Sequence, residues 1–368
     1  MKTMEVCLMN TELCNLNCSY CFRDKSFNRK MTLDTAYRQI DNIIASVEDA
    51  TIVRFLFMAG EPFLAFDVIQ ECVKYVRNKY SVRGNVYFKA VSNGTLVHGE
   101  IQKWLLENRD IFEIVLSLDG NKSTQNSHRG ASFDKIDLEF FKNHYKGLHI
   151  NSVLMPDNLS TFANDVKYIE SMGFYVRCSI AEGVDWNNKE YEQIFTNQLR
   201  LLIDYYLDNP SIYPMKMFNI GLHLLYSDQP IRGCMPGVNS LAITPDGERY
   251  ACHRCTPFYN NGSCSIPRED ISLENVRFLS EKCEQCIVKN ICSPCPASVA
   301  SIRRDIVSSA QKCIMNKILI VANACLQSKM IIQCPQHIFL KNRDIEQRKK
   351  ILQASKLIIT KLDCSHPY

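Results

Sequence analysis

Residues 4–180 alternate between short apolar runs and stretches with a helical repeat. "EVCLMN" (5–10), "TIVRFLFM" (51–58), "NVYFKAVS" (85–92), "IFEIVLSL" (111–118), "LHINSVLM" (148–155) and "FYVRCSIAE" (174–182) read as six strands. Between them, "TLDTAYRQIDNIIASV" (32–47), "FDVIQECVKYVRNKY" (66–80), "EIQKWLLEN" (100–108) and "TFANDVKYIESM" (161–172) have helical period. Thr32 precedes the first of these as an expected N-cap, its hydroxyl placed to accept from a free N–H. Repeated β/α units of this size predict a parallel sheet with helical crossovers, open or curled into a partial barrel. One more helical run, "KEYEQIFTNQLRLLIDYYLDN" (189–209), follows.

The pattern then changes. Residues 234–313 hold nine cysteines and turns such as "TPDGE" and "YNNGS", with few long periodic runs. The expected organisation is a barrel over 1–183, a helical bridge over 184–233, a cysteine-organised domain over 234–313 and a helical tail over 314–368. The basic stretch "KNRDIEQRKK" (341–350) reads as a solvated helix face.

The chain has 368 residues, 46% of them hydrophobic, so a sizeable core is expected. Its 43 basic and 39 acidic residues are too balanced for a nucleic-acid surface. No apolar run reaches the roughly 18–20 residues that span a bilayer, and "ILIVANACL" (317–325) is too short. The first residues carry no signal-like apolar run, so the 18 cysteines are expected reduced, in the cytoplasm, and bound to metal or catalysis rather than disulfides.

"CNLNCSYCF" (14–22) follows the first strand, which puts Cys14, Cys18 and Cys21 at the C-terminal end of a parallel sheet, where β/α proteins place their chemistry. Three thiolates fall one short of a tetrahedral zinc site, and the first histidine is His98. They suit three irons of a [4Fe–4S] cluster with the fourth iron open.

The C-x3-C-x2-C spacing, with Tyr20 before the third cysteine, resembles the radical S-adenosylmethionine (SAM) superfamily. The resemblance implies a partial (β/α)6, TIM-like barrel. It also implies a cluster on Cys14, Cys18 and Cys21 that binds the SAM amino and carboxylate groups and cleaves SAM to methionine and a 5′-deoxyadenosyl radical. "MAGEPFL" (58–64) resembles the family's Gly-Gly-Glu-Pro turn, with Ala59 for the first glycine and Gly60, Glu61 and Pro62 kept. It implies a hold on the SAM ammonium, a charge-assisted pair with Glu61. "SNGT" (92–95) and "LSLDG" (116–120) end the next two strands. By resemblance Ser92, Asn93, Ser117 and Asp119 approach the methionine and ribose parts of SAM, and Arg129 its carboxylate. Helix caps and a surface arginine are the plainer reading of these residues. "SVLMPDN" (152–158) is a candidate to approach the adenine.

The second region resembles the SPASM extension of radical SAM peptide and protein maturases. Cys234, Gly247 and Cys252 precede Cys283, Cys286, Cys292, Cys295 and Cys313 at matching spacings, except that two residues, not three, separate Cys292 from Cys295. The pattern implies two auxiliary [4Fe–4S] clusters. One would take Cys283, Cys286, Cys292 and Cys313; the other Cys234, Cys252 and Cys295, with Cys255, Cys264 or an open iron completing it. Read alone, these spacings also suit structural zinc. Cys7, Cys72 and Cys178 read as small buried hydrophobes, and Cys325, Cys334 and Cys364 have no assigned role.

The implied activity is hydrogen abstraction from a residue of a ribosomally made precursor peptide, giving a C–C or thioether cross-link or an oxidised residue. The alternative is an anaerobic sulfatase-maturating, formylglycine-forming enzyme; in those an aspartate follows the cysteine equivalent to Cys252, where this chain has His253. His253 is therefore the candidate catalytic base. A non-enzymatic zinc or electron-transfer protein is the reading from another class. Expected partners are the precursor peptide and an external reductant such as flavodoxin or ferredoxin. A leader peptide is expected to be bound by a separate protein or by the barrel and SPASM surfaces, since the chain begins at the barrel's first strand. No nucleic acid or membrane partner is expected.

Overall fold

The computed structural model describes residues 2–21, 23–80, 84–227, 236–259, 281–292, 295 and 312–362. The six expected strands form: β1 Thr3–Leu8, β2 Ile52–Phe57, β3 Val86–Ser92, β4 Phe112–Ser117, β5 His149–Leu154 and β6 Tyr175–Ile180. Each pairs in parallel with the next. The crossovers carry α1 Leu33–Ala45, α2 Phe66–Lys79, α3 Gly99–Glu107, α4 Lys122–His128, α5 Leu138–His144 and α6 Phe162–Ser171. Thr32 caps α1, its hydroxyl accepting from Thr35 N at 3.2 Å. Helices α4 and α5 have seven residues each, too few for a helical repeat to show in the sequence.

Two further strands, β7 Ser240–Ile243 and β8 Arg249–Tyr250, continue the same sheet. The order among the described residues is β6-β5-β4-β3-β2-β1-β7-β8, with β7 parallel to β1 and β8 antiparallel to β7. The cysteine-rich region thus starts by extending the barrel sheet. Strands of four and two residues carry too little alternation to be read beforehand.

The two faces of the sheet differ. Val6, Leu8, Phe55, Phe57, Ala90, Ile150 and Val176 belong to the hydrophobic core and are wholly buried. The alternate positions include Glu5, Cys7, Lys89, Asn151 and Arg177, which line a cavity. An inner face this polar leaves room that a packed barrel would fill with branched apolar side chains.

Helix α7, Lys189–Asp208, follows the barrel. After α8 (Glu281–Glu284), α9 (Cys313–Gln333) packs against α7 and α10 (Ile345–Lys361). The apolar run 317–325 is the buried middle of α9. Its polar Asn323 and Gln327 tie it to the 217–220 segment, donating to Met217 O at 2.8 Å and Ile220 O at 2.9 Å. No helix among the described residues is long and apolar enough to cross a membrane.

Candidate active site

The loop after β1 carries Cys14, Cys18 and Cys21, and three sets of bonds fix it. Buried Glu12 receives Arg29 Nε at 2.9 Å and Nη2 at 2.6 Å, while Arg29 Nη1 reaches Asp246 in the β7–β8 turn at 2.6 Å. Asn15 joins the loop to the β3 end: its Nδ2 donates to Thr95 Oγ1 at 2.8 Å and its Oδ1 accepts from Asn93 Nδ2 at 2.9 Å. Ser19 N donates to His128 O at 2.8 Å. Burial pushes the Cys14 thiol up, and Cys18 to about 11. Three soft donors in one fixed loop fit a cluster that supplies positive charge and holds them as thiolates. Glu12, Asn15, Arg29 and Thr95 escaped sequence reasoning, because their partners lie as far as 217 residues away.

The turn after β2 crosses this loop. Gly60 N donates to Thr11 O at 3.1 Å and Glu61 N to Leu13 O at 2.7 Å. A Cβ on Gly60 would lie 1.8 Å from Leu13 O, so only glycine allows the approach. Pro62 opens the short 3-10 turn Pro62–Ala65, with Glu61 as its N-cap. Glu61 is buried and draws three donors: Ser92 Oγ at 2.8 Å, Asn93 N at 2.8 Å and Phe63 N at 3.3 Å. Burial raises its carboxyl, these bonds offset part of that, and it ends at about 7.

A second acid gathers the β4 end. Asp119 receives Arg129 Nε at 2.8 Å and Nη2 at 3.1 Å, Tyr20 Oη at 2.7 Å and Val153 N at 3.0 Å. Burial works to raise this carboxyl, but Arg129 and the hydrogen bonds prevail and bring it down to about 2. The Arg129 guanidinium also sits 5.3 Å from the Tyr20 ring centroid. Arg129 is therefore buried and paired, not a surface arginine. Ser117 ends β4, buried beside these groups.

A cavity of about 420 Å³ occupies the barrel interior. The sheet supplies Glu5, Cys7, Leu56, Met58, Lys89, Val91, Val115, Asn151 and Arg177, and the cysteine-rich segment closes it with Cys252, His253, Arg254 and Cys295. His253 is partly buried, with its ring edge-on to Tyr259 at 5.2 Å. Burial and the adjacent Arg254 press the imidazole down to about 3, so it is neutral. Tyr259 stands near Cys7 and Cys21, whose charges add to burial in raising its hydroxyl. The neighbouring Phe258 accepts from Asp24 N at 2.7 Å, which ties this segment to the Cys14–Cys21 loop.

The structure brings other cysteines together. Cys252 Sγ and Cys255 Sγ are 3.6 Å apart, and Cys295 packs on the same small buried group. Burial, with smaller contributions from the nearby Cys313, Cys286 and Cys283, raises the Cys292 thiol to about 11. These are the thiols that could hold further iron–sulfur groups. No three His, Cys, Asp or Glu among the described residues are placed to hold a single metal ion. Cys234, Cys264 and Cys364 lie outside the described residues.

Residues 11–169 match the Radical SAM superfamily, so the chain carries a radical SAM domain, which implies a [4Fe–4S] cluster and SAM. A radical SAM cyclopropyl synthase, TigE of Paramaledivibacter caminithermalis, is 24% identical over 280 residues, covering 69% of this chain and 58% of that protein. The chain thus spans less than two thirds of that relative's length. A cysteine-type anaerobic sulfatase-maturating enzyme of Clostridium novyi is 26% identical over 266 residues, covering 65% and 70%. Native anSMEcpe with bound AdoMet superposes with a TM-score of 0.69 at 19% identity, covering 87% of this chain and 96% of that one. Streptococcus suis SuiB bound to S-adenosylmethionine gives a TM-score of 0.56 at 14% identity, covering 80% and 72%. These likenesses show a mixed α/β fold whose parallel sheet resembles a partial TIM barrel.

Proposed function

We propose that this radical SAM enzyme modifies a residue of a ribosomally made peptide, giving a C–C or thioether cross-link or an oxidised residue. The observation that carries the reading is the barrel cavity, whose wall is shared between the strands and the segment bearing Cys252, His253 and Cys295. A substrate there would touch the inner faces of the strands and the cysteine-rich region together. Two fold neighbours support a peptide: anSMEcpe has been solved with a Cp18Cys peptide and SuiB with the precursor peptide SuiA.

Cys14, Cys18 and Cys21 would hold the cluster. With SAM bound, that group supplies the electron that yields a 5′-deoxyadenosyl radical. Glu61, oriented by Ser92 and Asn93, is assigned to the SAM ammonium. Asp119 and Arg129 satisfy each other, so we assign them to holding Tyr20 and the 18–21 turn in place, and leave Ser117 for the SAM hydroxyls. His253, at the cavity wall, is assigned to accept the substrate proton on its position, against the lowered basicity that burial and Arg254 impose. Cys234, Cys252 and Cys295, and Cys283, Cys286, Cys292 and Cys313, are assigned to two auxiliary [4Fe–4S] clusters, with Cys255 completing the first on its 3.6 Å approach to Cys252. The electron needs a reductant such as flavodoxin or ferredoxin in a reducing, cytoplasmic setting. Sulfatase maturation is the second reading, favoured by the Clostridium novyi relative.

The test is iron and labile sulfide per chain after anaerobic reconstitution, in wild type and in a Cys14/Cys18/Cys21 triple alanine variant. Three clusters give roughly 12 irons falling to about 8, with SAM cleavage lost in the variant. About 4 falling to none would remove the auxiliary clusters and the peptide reading built on them.

A further inference from the structure

The sixth strand ends beside the cysteine-rich region, and one carboxylate joins them. Glu182 lies two residues beyond β6. Its Oε1 is 2.5 Å from Lys312 Nζ and 3.4 Å from Arg254 Nη1. Lys312 Nζ also donates to Ile180 O, at the last residue of β6, at 2.9 Å. Arg254 stands between Cys252 and Cys255, and Lys312 directly precedes Cys313. The Lys312 ammonium is also near enough to Cys295 for their charges to interact. It therefore borders cysteines assigned to both auxiliary clusters.

On structural grounds alone, an ammonium suits this position poorly. The Lys312 side chain is only 12% exposed, and a buried ion pair is often replaced by apolar packing at no loss of stability. Burial lowers its pKa, and the Glu182 carboxylate opposes that and keeps the ammonium charged. Lys312 is also the N-cap of α9, where its side chain caps no backbone N–H and its charge opposes the helix dipole. A serine or aspartate would serve the helix better. What lysine adds is a fixed positive charge. Glu182 offsets one of the two cations it holds, so the three side chains together leave positive charge beside the cysteines. A cluster gains a negative charge when it is reduced, and a nearby cation favours that state.

We propose, on the assignment of these cysteines to auxiliary clusters, that Lys312 is a positioning residue for electron transfer. Anchored on Glu182 and Ile180 O, it locks the Cys313 segment to the sixth strand, as Arg254 locks the Cys252–Cys255 segment. Its charge makes the auxiliary clusters easier to reduce. The surrounding charge is one of the levers by which a protein sets the potential of such a group.

The experiment is a redox titration of the anaerobically reconstituted full chain, followed by electron paramagnetic resonance, with iron counted in every sample. The Cys14/Cys18/Cys21 triple alanine variant shows which signals belong to the auxiliary clusters. Lys312→Gln should keep roughly 12 irons per chain. The midpoint potential of at least one auxiliary cluster should fall by about 60 mV, a tenfold change for one electron. Lys312→Arg keeps the charge and should restore the wild-type potential. Arg254→Gln removes the other cation and should lower the potential of the first auxiliary cluster, which keeps the test decisive if Lys312→Gln folds poorly. Potentials equal in wild type and all variants, with full iron, overturn the proposal and leave the auxiliary clusters standing. A fall in Lys312→Arg as large as in Lys312→Gln makes the effect one of packing and overturns it too. About 4 irons in wild type, falling to none in the triple variant, overturns the auxiliary clusters and this role together.

Discussion

The Tyr20 hydroxyl donates to Asp119 Oδ2 at 2.7 Å, joining the cysteine loop after β1 to the end of β4. Arg129 holds the same carboxylate through two bonds. The three form one unit, with Asp119 and Arg129 buried and Tyr20 half-buried, and its members should fail unequally. Tyr20→Phe loses a hydrogen bond to a charged acceptor and should cost about 1.5–3 kcal/mol. Asp119→Ala leaves the buried Arg129 guanidinium unpaired and should cost about 3–5 kcal/mol. Anaerobic urea unfolding measures both, and equal losses would contradict the hierarchy.

Gly60 predicts a sharper effect at a neighbouring turn. The Cβ of Gly60→Ala would lie 1.8 Å from Leu13 O, a backbone atom that cannot move without displacing the Cys14 loop. The variant should reconstitute with roughly 4 fewer irons per chain and melt lower than wild type. Full iron content would show that the loop relaxes freely.

The Glu61 carboxyl sets a pH dependence. Its pKa in the fold is about 7, above the ordinary carboxylate value, so its contribution to stability is complete below about pH 4 and is lost as pH rises through 7. An ammonium partner prefers the ionised form. SAM affinity should therefore rise about tenfold from pH 6 to pH 8, with proton release at the lower pH. Calorimetry at both pH values checks this, and Glu61→Gln should be flat. A wild-type affinity independent of pH would remove Glu61 from the ammonium.

His253 separates radical generation from the later step. His253→Ala should lower product formation about 10²–10⁴-fold while SAM cleavage continues. Product and 5′-deoxyadenosine, measured together by mass spectrometry, report the split. A parallel fall in both would make His253 a structural residue of the Cys252 segment.

The sequence by itself determined the six barrel strands and four of their helices, because alternating and 3.6-residue patterns are local. Cys14, Cys18 and Cys21 were legible for the same reason: their spacing lies within eight residues of chain. Gly60, Glu61 and Pro62 were legible as a turn, though not the reason for the glycine, which is the passage of Leu13 O beside it. Only the tertiary structure decided that β7 extends the barrel sheet, since four residues have no resolvable pattern and their partner, β1, lies more than 230 residues earlier. It likewise decided that Asp119 faces Arg129 and Tyr20, and that Glu12, Arg29 and Asp246 form a chain of charges. Partner choice among polar side chains depends on which strand ends meet, and no spacing along the chain encodes that. The polar inner face follows the same rule: Glu5, Lys89, Asn151 and Arg177 sit in unremarkable strand positions until the sheet curls them around one cavity.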